Sequence, residues 1–199
     1  MDVAPERLAR WLENFAGRHG PWVADGLLLT AEDGATAELS PPPGVPPTKD
    51  LEELRQVAGE PRRIGLLLAR KGAVAVGVAA GTALVVSKVD THYVQGRTAA
   101  GGWSQQRFAR RRDNQAKAAA ADGAGIAARL LLPEVRTLSA LVTGGDHTAV
   151  DTILAAPPLR PLSALRSDRF LEVPEPRRTV LEDAIGQARA VRILVRDSP

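Results

Sequence analysis

Chemistry is suggested first by Gly101-Gly102-Trp103-Ser104-Gln105-Gln106, which sets a glycine pair before two side-chain amides. Gly96, Gly101 and Gly102 let the backbone come close to a bulky ligand, because glycine has no Cβ and reaches conformations closed to other residues. Ser104 stands where an N-cap belongs, so the amides of Gln105, Gln106 and Arg107 are predicted to lie at a helix N-terminus. Such an end favours a phosphate or a developing oxyanion. Glutamine is no general base near neutral pH, but its amide both donates and accepts hydrogen bonds. Gln105 or Gln106 can therefore orient an attacking water, or steady an oxyanion, when the ester under attack is already reactive.

Further along, Arg107, Arg110 or Arg111, Asn114 and Lys117 follow i, i+3/4, i+7 and i+10 spacing, a polar stripe able to meet several phosphates. Arg112 and the upstream Arg97 add to it. From Lys88 to Lys117 seven Lys and Arg residues face two Asp, although the whole chain has a formal net charge of only +3. The positive field is local, which points to an anionic partner such as RNA. Taken singly, each feature has a plainer reading: a glycine pair as a turn, an arginine run as a solvated face, Trp103 as a core anchor. Their conjunction within residues 93–117 is what favours a binding and reacting loop.

The elements that must hold this loop are legible by periodicity. Leu8, Trp11, Leu12 and Phe15 recur at helical spacing, ended by Gly17 and Gly20-Pro21. Leu27 to Thr30 and Ala35 to Leu39 flank the hairpin pair Asp33-Gly34. Ser40 to Pro47 is too proline-rich for helix or central strand and is predicted to be a linker. Thr48 is the expected N-cap of a helix bearing Leu51, Leu54 and Val57. Ile64 to Arg70, Ala73 to Ala79 and Ala83 to Val89 are separated by links too short for a crossover helix, so they predict an antiparallel meander. After the loop at Gln95 to Ser104 a helix is expected to about Ala121. Then come a strand at Leu138 to Val142, helices at Asp146 to Leu154 and Arg177 to Ala188, and a strand at Val191 to Val195. The order predicts an α/β (α+β) layer fold with a mixed sheet. Residues 1–60 are expected to form a small N-terminal region and 61–199 the main domain.

Composition narrows the function classes. The 199 residues are 44% hydrophobic and 25% charged, ordinary for a globular chain with one full-sized core. There is no cysteine, which removes disulfides, thiolate zinc sites and a cysteine nucleophile. No signal-peptide pattern or membrane span is evident, so a cytoplasmic monomer without membrane contact is expected. His19, His92 and His147 lack metal-ligand spacing, and no metal or organic cofactor is expected. Thr143-Gly-Gly-Asp-His147 reads as a strand-to-helix turn with an aspartate cap. Asp90, Asp146 and Asp151 could suggest a metal nuclease, but the first meander strand supplies no carboxylate to join them.

The run from Gly101 to Ala116 resembles the signature of the actinobacterial VLRF-type peptidyl-tRNA hydrolases. These are relatives of the eukaryotic ribosome-quality-control hydrolases and of the catalytic domain of eukaryotic and archaeal class-1 release factors. The resemblance implies an RNase H-like, release-factor catalytic-domain-like fold. It implies that the loop enters the peptidyl-transferase centre and promotes hydrolysis of the ester joining nascent peptide to tRNA. The partners would be the CCA end of peptidyl-tRNA and large-subunit ribosomal RNA. By position the glutamine directly after serine, Gln105, is the catalytic equivalent, with Ser104 before it and Gln106 as the alternative. Gly101, Gly102, Trp103, Arg97, Arg107, Arg110, Arg111, Arg112, Asn114 and Lys117 would contact RNA. Two features depart from the family pattern: Trp103 separates the glycines from Ser104, and Gln106 duplicates the glutamine. A chain of this length leaves no room for a codon-reading domain, so rescue of stalled or obstructed large subunits is expected rather than codon-directed termination. The alternative is a non-catalytic ribosome- or tRNA-binding module.

Overall fold

The computed structural model describes residues 1–70, 72–91 and 103–197, with side chains described throughout except at 103–116. The chain begins with a two-residue strand β1 (Asp2–Val3) and helix α1 (Leu8–His19). Leu8, Leu12 and Phe15 are buried as their spacing predicts, whereas Trp11 is only half-buried. Strands β2 (Trp22–Asp25), β3 (Leu28–Ala31) and β4 (Thr36–Ser40) pair antiparallel in succession. Gly34, at φ 89°, supplies the expected turn between β3 and β4. Asp33 beside it accepts from the Ala35 amide at 2.9 Å and lies 2.8 Å from His19 Nδ1. These two bonds, the amide first, hold its carboxyl below the usual range.

Helix α2 (Leu51–Val57) corrects one expectation: its N-cap is Asp50, not Thr48. Asp50 Oδ1 accepts from the Glu53 amide at 2.9 Å, while Glu53 Oε2 accepts from the Lys49 amide at 2.7 Å. Threonine and aspartate both cap well, and this reciprocal pair of bonds decides between them. Asp50→Ala is expected to lower stability by about 1 kcal/mol, read as an earlier urea midpoint at unchanged slope.

Strands β5 (Arg63–Arg70), β6 (Ala73–Ala80) and β7 (Ala83–Thr91) form the predicted meander, with Arg70 opposite Ala73 and Ala80 opposite Ala83 at the two turns. There follow α3 (Trp103–Leu131), β8 (Ala140–Gly145), α4 (His147–Leu154), β9 (Arg166–Leu171) and α5 (Arg178–Arg189). β8 lies parallel to β5, and β9 parallel to β8, giving a mixed sheet in the order β7-β6-β5-β8-β9. Its central strands are apolar runs because both faces are covered. On one face Leu67 and Val76 pack with Ile126 and Leu131 of α3 and Val150 and Ile153 of α4. On the other, Leu66 and Leu68 pack with Leu181 and Ile185 of α5.

Helix α3 runs ten residues past the end expected at Ala121. Glycine normally weakens a helix interior, but Gly123 is buried against α4, where an added Cβ would come 3.0 Å from Ile153 Cδ1. Burial of Ile126, Ala127 and Leu131 then carries the helix as far as Pro133 allows.

The last strand, β10 (Val191–Arg196), does not extend the mixed sheet. It lies antiparallel between β1 and β4, in a second five-stranded sheet ordered β1-β10-β4-β3-β2. Its Val191 and Ile193 join Leu29, Leu39, Leu54 and Phe15 in a separate core. Where the sheets meet, the buried Arg169 of β9 donates to the carbonyls of Gln187, Ala190 and Pro41. Burial lowers its pKa from the ordinary value, yet arginine starts so high that it stays charged.

Candidate functional site

The described chain leaves the mixed sheet at Thr91 and resumes at Trp103. His92, Gly96, Arg97, Gly101 and Gly102 lie outside the described residues. For Trp103, Ser104, Gln105, Gln106, Arg107, Arg110, Arg111, Arg112 and Asn114 the backbone is described as helix, and the side chains are outside the description.

That backbone corrects the expected cap. α3 already includes Trp103, so Ser104 sits in its first turn rather than before it, a displacement of the size by which helix ends commonly vary. The leading amides of a helix have no acceptor within it, so the residues from Trp103 to Gln106 supply that positive end. Both glutamines are in the first turn of a 29-residue helix, about 43 Å long at 1.5 Å per residue. Because the helix is unbroken, positions 107, 110/111, 114 and 117 fall along one side of it.

Lys117 is the predicted contact residue whose surroundings are described. It is exposed and borders a recess of about 520 Å³ between α3, α4 and the β5–β6 turn. The walls are largely apolar, including Val74, Ala120 and Ile153; Arg70, Asp146 and Thr148 complete the rim. Most of that polarity is committed. Arg70 Nη1 donates to the Val173 carbonyl at 2.9 Å, and Asp146 Oδ1 accepts from the Ala149 amide at 2.9 Å as the N-cap of α4. Among the described residues no carboxylate lies within ion-pair distance of Lys117. Two cations at an apolar-walled recess suit the phosphate and sugar of a nucleic-acid strand better than they suit acid–base chemistry.

Sequence reasoning missed Arg70 and Thr148 as neighbours of Lys117, because the three residues stand on β5, α4 and α3, separate segments brought together by the packing of both helices on one face of the mixed sheet. The Thr143 to His147 turn matches its expectation. Gly144 faces the Leu171 carbonyl, 2.7 Å from where a Cβ would stand, and Gly145 takes φ 103°. The three aspartates are each engaged locally: Asp146 caps α4, Asp151 pairs with Arg166 at 2.7 Å, and Asp90 accepts from the Thr91 amide at 3.0 Å. His147 stacks on Phe170 with centroids 3.5 Å apart.

Residues 62–194 match the profile of the Actinobacteria/chloroflexi VLRF1 release factor family. The chain belongs to that family. The matched span takes in the mixed sheet, the segment leading into α3, the whole of α3 and most of β10; β1 to β4, α1 and α2 precede it. No curated protein matches the chain. Among solved structures it is similar to the archaeal translation termination factor aRF1, at 16% identity and a TM-score of 0.46 over 80% of this chain and 48% of that one. A second structure, described as an archaeal protein, aligns at 14% identity and a TM-score of 0.43 over 78% and 48% of the two chains. The chain thus spans about half the length of these structures. No helix among the described residues of this VLRF1 release factor family member is long and apolar enough to cross a membrane.

Proposed function

We propose that this protein is a cytoplasmic peptidyl-tRNA hydrolase that frees nascent chains from stalled or obstructed large ribosomal subunits. Support comes from one conjunction: the Gly-Gly-Trp-Ser-Gln-Gln run leads directly into the first turn of α3 in a member of a release-factor family. The reaction needs little of the protein beyond positioning. Water adds to the ester carbonyl carbon, the bond to the tRNA ribose oxygen breaks, that oxygen takes a proton, and the peptide leaves as a carboxylic acid. Gln105, with Gln106 as the alternative, holds the water or the forming oxyanion, and the amides at the start of α3 add a positive end. Gly101 and Gly102 let the main chain approach the CCA end. Arg97, Arg107, Arg110, Arg111, Arg112, Asn114 and Lys117, beside Trp103, contact tRNA and ribosomal RNA. Residues 61–199 carry this work as a monomer, with residues 1–60 as the smaller unit, tied to the rest through β10.

Adding the purified protein to large subunits loaded with labelled peptidyl-tRNA tests the proposal. Time-dependent release of free peptide is expected, and binding without release would reduce the protein to a docking module. Arg110→Ala/Arg111→Ala is expected to weaken association with the subunit. It should also lower the slope of log affinity against log salt by up to about 2, because each lost phosphate contact takes its released counterions with it. An unchanged slope in a salt titration would remove those arginines from the interface.

A further inference from the structure

Helix α1 carries a second basic surface, outside the family-matched span and sharing no residue with the site above. Its apolar stripe is not fully covered. Trp11, on the flank of the buried Leu8, Leu12 and Phe15, stays half-buried and stacks on Phe15 with ring centroids 5.3 Å apart and planes 14° from parallel. Two recesses, of about 730 and 420 Å³, open on this flank, and Trp11 and Asn14 line both. Arg7 and Arg10 line the first and Arg18 the second. Positions 7, 10/11, 14 and 18 follow i, i+3/4, i+7 and i+11, so one side of the helix presents them together.

The charge here is uncompensated. Arg7, Arg10 and Arg18 are exposed, and among the described residues none has a carboxylate within ion-pair distance. Of the nearby acids, Glu6 is held by Arg189 at 2.6 Å and Asp2 by Arg192 at 3.4 Å, while Glu13 is exposed on α1 and lines neither recess. Asp197, exposed on the rim of the second recess, lies 3.9 Å from His19 Nε2. From Arg7 to Arg18 the axial distance is about 16 Å at 1.5 Å per residue, long enough to follow several nucleotides of a single strand.

We propose that this groove binds single-stranded or looped-out RNA, with Trp11 stacking on a base and Arg7, Arg10 and Arg18 meeting the flanking phosphates. A flat aromatic face between spaced, unpaired guanidiniums is the arrangement by which proteins hold unpaired bases without reading their sequence. An apolar peptide would leave the guanidiniums without counter-charges. The groove gives the N-terminal residues an RNA-tethering role separate from ester hydrolysis.

Fluorescein-labelled oligouridylate titrated into the full chain tests this. Arg7→Ala/Arg10→Ala/Arg18→Ala is expected to weaken binding at least tenfold and to lower the salt slope by about 2, at roughly 0.7 per single-strand phosphate contact. The far-ultraviolet spectrum should not change, since all three arginines are exposed. Oligouridylate should quench tryptophan emission in the wild type and in Trp22→Phe/Trp103→Phe, which leaves Trp11 as the sole tryptophan. In Trp11→Phe the quenching amplitude should fall while affinity holds, because phenylalanine still stacks; in Trp11→Leu affinity should fall about tenfold. Unchanged affinity and slope in the triple variant, or unchanged quenching in Trp11→Phe, would overturn the proposal. So would weaker binding to ribosomal subunits with unaltered binding to oligouridylate, which would assign the groove to a protein partner. Peptide release is a different readout, so failure of the hydrolase proposal would be seen separately.

Discussion

Gln105→Ala is expected to slow single-turnover peptide release on large ribosomal subunits by roughly 10²- to 10³-fold, the cost of losing one preorganised polar contact to a developing charge. Subunit binding should persist, because the proposed phosphate contacts are at positions further down α3. Gln106→Ala should cost much less. The two glutamine positions are consecutive on a helix, about 100° apart around its axis, so one water or oxyanion is not expected to be met equally by both. A reversal of the two effects would move the catalytic role to Gln106 without disturbing the rest. If both variants released peptide at the wild-type rate while still bound, glutamine-assisted hydrolysis would be excluded.

Gly145→Ala is expected to destabilise the protein by roughly 3–5 kcal/mol, combining a left-handed backbone unsuited to a side chain with an overpacked contact. Gly145 sits at φ 103°, and an added Cβ would run into the Ala69 carbonyl. That carbonyl is not free to retreat, since it accepts from the Asp146 amide at 2.8 Å. With typical net stabilities of about 5–15 kcal/mol, such a loss is large in a thermal or urea melt. Gly125→Ala is the control: the residue is within α3 with nothing within 4 Å of a new Cβ, so it should be neutral or stabilise by up to about 1 kcal/mol. Equal melts for Gly145→Ala and wild type would refute the steric account of this turn.

Local rules made much of the fold legible. The links at residues 71–72 and 81–82 permit only hairpins, so β5, β6 and β7 follow from spacing. Asp146 before an apolar-periodic run marks the start of α4. Legibility failed where distant residues decide. α3 outlasts its alanine run because Gly123 fits against Ile153, a contact that no helix propensity encodes. β9 begins Arg-Ser-Asp-Arg, polar enough to read as loop, and becomes a strand by pairing beside β8 at the sheet edge. Between Thr48 and Asp50, both good caps, the choice is made by the two bonds that Glu53 forms, from its amide to Asp50 and from the Lys49 amide to its carboxylate.

The site divides in the same way. Its glycines, glutamines and arginines stand in one continuous run and can be read in order. Arg70 and Thr148 join Lys117 only through the packing of α3 and α4 on the mixed sheet. Trp11 reads as a core residue by its period, and only packing shows it to be half outside the core it borders.

The position of β10 also orders events while the chain is being made. Its register with β4 joins Ile193 to Leu39 and Val195 to Ala37, and among the described residues β1 pairs with β10 alone. Residues 1–40 therefore cannot complete their sheet until residues 191–196 have also emerged. Every strand of the mixed sheet is out by Leu171, leaving it free to assemble first. Strands β1 to β4 are thus among the last elements to settle, and until then the apolar faces of β3 and β4 depend on α1 and α2 for shelter.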